Sequence, residues 1–158
     1  MTSIKRLQSE YKQCINDPNP FYSVSIINNN LFEWNFAIIG PSDTLYEGGI
    51  FNGIINFSNN YPLSPPKVKF VSEVLHPNIY VNGDVCISIL HEGIDQYNYE
   101  KDSERWNPSH GINSIMMSII SMLSDPNTES PANVDASKLF NENYEEYKRR
   151  VYTLVSNS

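Results

Sequence analysis

Two cysteines, Cys14 and Cys86, are all that the 158-residue chain contains. A disulfide-dense scaffold is excluded by that count, and a Cys-x-x-Cys metal site by how far apart the two lie. Glycine is scarce as well, at seven residues, and none stands in a run that could cradle a nucleotide phosphate. Positive charge is the third shortage. The 11 Lys and Arg face 18 Asp and Glu, for a formal net charge of −7 and a pI near 4.8. A surface of that sign does not neutralise a phosphate backbone, which argues against nucleic acid as a partner. No apolar run approaches the roughly eighteen residues of a membrane span, and the longest, Ile115 to Leu123, is broken by Ser118 and Ser121. The opening MTSIKRLQSEYKQ is too charged for the apolar core of a secretory signal, so the expected compartment is reducing: the cytoplasm, with the nucleus left open.

What is present belongs to a chain that folds. Apolar residues make up 40% and aromatics 12%, which excludes intrinsic disorder, and the length fits one domain over residues 1–158. From Ser3 to Asn16 the apolar residues Ile4, Leu7, Tyr11, Cys14 and Ile15 recur at helical spacing until Asp17-Pro18 stops them. The period then becomes two. Ser23 to Ile27, Phe32 to Ile38, Ile50 to Phe57 and Lys67 to Val71 read as four strands, separated by turn signals at Asn28 to Asn30, Gly40-Pro41, Gly48-Gly49 and Tyr61 to Pro66, and predict an antiparallel meander. Between Glu73 and Trp106 periodicity disappears, and a connection of that length inside a compact domain reads as functional. Ile112, Ile115, Met116, Ile119, Ile120, Met122 and Leu123 then draw a stripe wide enough for a buried central helix, ended by Asp125-Pro126. A last helical stripe carries Tyr144, Tyr147, Val151 and Leu154. The fold class is α+β: an N-terminal helix, a four-stranded antiparallel meander, a central helix and C-terminal helices. Asparagine, at 20 residues, falls in turn-like places and is assigned no function.

Chemistry concentrates in the aperiodic stretch. Cys86 follows an Asn82-Gly83 turn and precedes a polar segment, which suits an accessible thiol, whereas Cys14 lies on a helical apolar stripe. A metal held by His76, Cys86 and His91 lacks the paired spacing such sites use, so no metal is expected. A thiol-protease arrangement would take its base from His76, His91 or His110, but Asp84, Glu92 and Asp95 crowd the cysteine with negative charge that disfavours a thiolate. An unactivated thiol suits a substrate that arrives already activated.

His76-Pro77-Asn78 ahead of Cys86, Tyr61-Pro62 and Pro65-Pro66 upstream, Trp106 and Pro108 downstream, and the Asp125-Pro126-Asn127 stop occur in an order that resembles the ubiquitin-conjugating enzymes. The resemblance runs over essentially the whole chain. Trp106 lies twenty residues past Cys86, and this long link, with Cys86-Ile87-Ser88-Ile89-Leu90-His91 before it and Ser130 to Ala136 after the central helix, is similar to the G-type, yeast Ubc-seven-like subfamily.

The resemblance implies that Cys86 accepts ubiquitin as a thioester from an activating enzyme and yields it to a lysine with the help of a RING-type ligase, building chains for protein degradation. No cofactor is expected to be bound, ATP being used by the activating enzyme. It implies that Asn78 stabilises the oxyanion, that His76 and Tyr80 support the site, and that the acidic segment of His91, Glu92, Asp95, Glu100 and Asp102 admits the attacking lysine. Ser130, preceded by Glu129, occupies the position where relatives place an aspartate. Lys5, Arg6, Leu63, Pro108 and Ser109 are the implied ligase contacts. Substrate proteins are further partners, and recruitment to the endoplasmic reticulum surface would need another protein. Two alternatives stay open: conjugation of a different ubiquitin-like modifier, and a non-catalytic ubiquitin-binding scaffold.

Overall fold

The computed structural model describes residues 2–93 and 104–158. α1 (Ser3–Asn16) leads into strands β1 (Tyr22–Ile27), β2 (Asn30–Ile39), β3 (Ile50–Asn56) and β4 (Lys67–Phe70), followed by α2 (Ile112–Ser124), α3 (Val134–Glu142) and α4 (Tyr144–Ser156). The sheet order is β1-β2-β3-β4 with every pair antiparallel, so the meander stands as expected. Period-two patterning explains which face is covered. Trp34, Phe36 and Ile38 on β2, Phe51 and Ile55 on β3, and Val68 and Phe70 on β4 are all buried, while the intervening positions of each strand are more exposed.

The asparagines do local work. Asn28 and Asn29 both take left-handed backbone, with φ of 49° and 57°, and join β1 to β2 in a turn that asparagine tolerates better than most residues. Asn133 caps α3 through the Ala136 N–H, and Asn143 ends α3 and caps α4 through the Glu146 N–H. The C-terminal helical region is thereby split in two.

All seven residues of the α2 stripe are buried, which makes this helix the centre of the core. The α1 stripe is narrower than its sequence suggests. Leu7 is fully buried and Tyr11 and Cys14 pack partly against the core, but Ile4 and Ile15 are half exposed. The reason is charged: α1 is rolled so that Arg6 and Glu10, with side chains only 22% and 13% exposed, face the start of α2. Among the described residues no helix is long and apolar enough to cross a membrane.

Candidate active site

The aperiodic stretch is built as a set of backbone hooks onto β4. Phe70 N–H donates to Gly83 O at 2.8 Å and Val85 N–H to Val68 O at 3.1 Å, so residues 83–85 extend the sheet edge. Gly83 is needed there. Its φ is +100°, and a Cβ would stand 2.1 Å from the Phe70 carbonyl oxygen. Past this turn the chain doubles back: Tyr80 N–H donates to Asp84 O at 2.9 Å and Cys86 N–H to Asn78 O at 2.9 Å. The backbone of Cys86 is thus fixed beside that of Asn78, and the residue is partly exposed. Tyr80 is 48% exposed at the head of the turn.

His76 lies fully buried under this loop. The Asn78 backbone N–H donates to Nδ1 at 2.9 Å, which makes Nδ1 an acceptor, so the ring proton sits on Nε2 and is donated to Met122 O at 2.7 Å. Burial lowers the His76 pKa to about 4, against a smaller opposing effect of the Met122 carbonyl. A ring that stays neutral and has both nitrogens engaged is a brace between the loop and the end of α2.

Asn78 is itself 97% buried by the same packing. Its Oδ1 accepts from Asn127 N–H at 2.9 Å, and its Nδ2 donates to Asn127 O at 2.8 Å. Only one of the two Nδ2 hydrogens is committed by that clasp. Pro77 O accepts from both Ala132 N–H and Asn133 N–H at 2.9 Å, tying down the segment that carries Glu129 and Ser130, both of them exposed. Glu129 N–H donates to Asn127 Oδ1 at 3.0 Å. Asn127 was legible only as part of a helix stop, and its grip on Asn78 has no signal in the sequence.

Beyond Cys86 a short 3-10 turn, Ser88–Leu90, carries the chain to His91, whose Nε2 is 3.7 Å from Cys86 Sγ. Glu92 is exposed, and Asp95, Glu100 and Asp102 lie outside the described residues. Among the described residues no group of three or more His, Cys, Asp or Glu gathers as a metal site would. Cys14 offers no rival nucleophile: burial, reinforced by the Glu10 carboxylate, pushes its pKa up.

The residues expected to meet a ligase gather on a different rim. Leu63 is 69% exposed, and Lys5, Pro108 and Ser109 are exposed around it on separate segments. Arg6 has another task. Its Nη1 and Nη2 donate to Pro108 O at 3.0 Å and His110 O at 2.7 Å, its Nε meets Glu10 at 3.0 Å, and its guanidinium lies 5.7 Å from the Tyr61 ring centroid. Glu10 in turn accepts from the Ile112 N–H at 2.8 Å and from the Tyr61 hydroxyl. Gly111 permits this approach, since a Cβ there would be 2.3 Å from Glu10 Oε1. Arg6 and Glu10 therefore hold the rim together from below. Arg6, expected among the ligase contacts, keeps part of its side chain exposed while its guanidinium ties α1 to the segment before α2.

These features agree with the comparisons. The family description "Ubiquitin-conjugating enzyme" matches residues 6–155. The chain is 51% identical to ubiquitin-conjugating enzyme E2 15 of Schizosaccharomyces pombe over 154 residues, covering 96% of this chain and 92% of that protein. It is 52% identical to ubiquitin-conjugating enzyme E2 7 of Arabidopsis thaliana, with 96% and 93% covered. Ubiquitin-conjugating enzyme E2 G2 of Homo sapiens is 46% identical over 159 residues, with 99% and 96% covered. With four α-helices and a four-stranded antiparallel sheet among the described residues, an α+β architecture, the chain belongs to the ubiquitin-conjugating enzyme family as a G-type member, a ubiquitin transferase.

Proposed function

We propose that Cys86 is the residue that carries ubiquitin, and that Asn78 is its oxyanion donor. The observation that carries this reading is the 2.9 Å bond from Cys86 N–H to Asn78 O, which ties the backbone of Cys86 to that of the residue whose side-chain amide Asn127 clasps. In the loading step the Cys86 thiolate attacks the thioester carbonyl of ubiquitin on the activating enzyme. A new C–S bond forms, and the activating enzyme's sulfur leaves as thiolate. In the second step a lysine amine attacks the carbonyl carbon; C–N forms, C–S breaks, the electron pair returns to Cys86 Sγ and the nitrogen loses a proton to solvent water. Negative charge builds on the carbonyl oxygen between bond making and bond breaking. A neutral amide donor stabilises it without exchanging a proton, and preorganisation by the Asn127 clasp means little reorganisation at that moment.

The remaining assignments follow the same reading. His76 braces the loop. Glu92, Asp95, Glu100 and Asp102 attract the approaching lysine, and Glu129 takes the share of that charge which Ser130 cannot supply. Lys5, Arg6, Leu63, Pro108 and Ser109 dock a RING-type ligase, with the exposed Leu63 between prolines as a rigid apolar anchor. The enzyme works in the cytoplasm on protein substrates destined for degradation.

The test is adduct formation with activating enzyme, ATP and ubiquitin. Wild type and Cys14→Ser form an adduct that a thiol reductant removes, Cys86→Ser forms at most a slowly hydrolysed oxyester, and Cys86→Ala forms none. Equal loading of Cys86→Ala overturns the reading.

A further inference from the structure

Arg105 stands three residues beyond Asp102, the last member of the acidic segment, and takes no part in the chemistry above. Its guanidinium forks onto two consecutive carbonyls, Nε donating to Gly93 O at 2.9 Å and Nη2 to Glu92 O at 2.8 Å. The next residue continues the pattern. Trp106 N–H donates to His91 O at 2.8 Å, and the indole Nε1–H donates to Pro62 O at 2.9 Å. Three successive carbonyls, those of His91, Glu92 and Gly93, are therefore gripped by two successive residues. The His91 ring is on the other side of this grip, 3.7 Å from the Cys86 sulfur, and its backbone N–H donates to Ser88 O at 2.9 Å.

We propose that Arg105 is a positioning residue for lysine attack: by holding Glu92 and Gly93 it keeps His91 against Cys86 Sγ. The proposal rests on the Cys86 thioester reading. A single backbone bond from Trp106 to His91 would act as a pivot. The planar fork of Arg105, closing on two neighbouring carbonyls, removes rotation about that pivot, because a guanidinium fixes direction as well as distance. His91 is one residue from Glu92, the nearer of the two residues whose carbonyls Arg105 holds, so its ring inherits the placement. The chemistry that placement serves is the departure of the thiolate. As the amine nitrogen bonds to the carbonyl carbon, the C–S bond breaks and its electrons return to Sγ. A hydrogen on His91 Nε2 donates a hydrogen bond to that sulfur, with no proton transfer required.

The experiment is discharge of preformed enzyme–ubiquitin thioester to free lysine, measured for wild type, Arg105→Gln, Arg105→Lys, His91→Gln and the Arg105→Gln/His91→Gln double variant. Arg105→Gln lowers kcat about tenfold with the KM for lysine unchanged, since misplacement by an ångström or less acts on the transition state. The double variant is no slower than His91→Gln alone, and Arg105→Lys recovers part of the rate because an ammonium lacks the planar fork. A wild-type rate in Arg105→Gln or in His91→Gln overturns the proposal. So does an undiminished Arg105→Gln loss in the His91→Gln background, or full recovery by lysine, which would make charge and not geometry the cause. If Arg105→Gln melts early, the cycle is run with Arg105→Lys and judged by the same criteria. Absence of any thioester on the wild-type enzyme falls instead on the Cys86 reading.

Discussion

At its N-terminus α2 starts on Gly111 with no acidic residue in the first turn and no side-chain cap of its own, and a carboxylate from another helix, Glu10, meets the Ile112 N–H. At its C-terminus it offers the Met122 carbonyl to the neutral His76 ring, and Asn127, just past the end, clasps Asn78. One end is anchored by charge and lies beneath the rim assigned to the ligase. The other is anchored by neutral hydrogen bonds and lies beneath the site assigned to chemistry. The burial of each explains the choice. Glu10 and Arg6 keep some contact with solvent, and the carboxylate complements the partial positive charge of the helix start, so an ion pair there is favourable. His76 has no contact with solvent, and a charge in its place would have to pay full desolvation.

The largest expected effect separates the two ends by function. Asn78→Ala keeps loading of Cys86 but lowers ligase-free lysine discharge by about 10²- to 10³-fold, the loss typical of an oxyanion donor. Glu10→Ala loses more of its ligase-stimulated discharge than of its ligase-free discharge. Single-turnover assays with and without a RING ligase check both, and an equal ligase-free loss in the two variants erases the distinction.

The next effect tests the neutral anchor. The His76 pKa is depressed to about 4 in the folded chain and returns to about 6.5 on unfolding. The unfolded state therefore binds the extra proton first, and the stability this ring contributes is fully present above pH 6.5 and is lost as pH falls through 4. At about 1.4 kcal/mol per tenfold change, the loss is on the order of 3 kcal/mol. Urea unfolding at pH 7 and pH 4.5 measures it against His76→Asn, whose stability should change less over that interval. Parallel curves would mean that the ring is not held neutral by burial.

The smallest effect concerns the charged anchor alone. Glu10→Gln keeps an acceptor for the Ile112 N–H but removes the charge that faces Arg6 and the helix start. A loss of about 1–2 kcal/mol follows, reduced at high salt. Denaturant midpoints at low and high salt check it, and a salt-independent loss would point to lost hydrogen-bond geometry in place of charge.

Much of this molecule was legible before folding was considered. The seven residues of the α2 stripe, the four strand segments and the Asn28–Asn29 turn follow from spacing, because their burial depends on periodicity along one element. The signals failed where a buried face is polar. Arg6 and Glu10 look like solvated positions on an amphipathic helix, and only the Gly111 backbone approaching Glu10 reveals them as interior. Arg105 was invisible for a similar reason: its partners are main-chain carbonyls, which every residue has, so no residue type marks them in advance.

What the sequence determined by itself is the order of motifs, the α+β class and which cysteine is the candidate thiol, since Cys14 falls on a helical stripe and Cys86 does not. Tertiary structure alone decided which side chains hold the site in place. Asn127 grips Asn78 across 49 residues, Arg6 reaches Pro108 and His110 across 102 and 104, and Trp106 reaches Pro62 across 44. Such contacts depend on how separate elements come together, and hydrogen-bond partners at that separation leave no periodic trace along the chain.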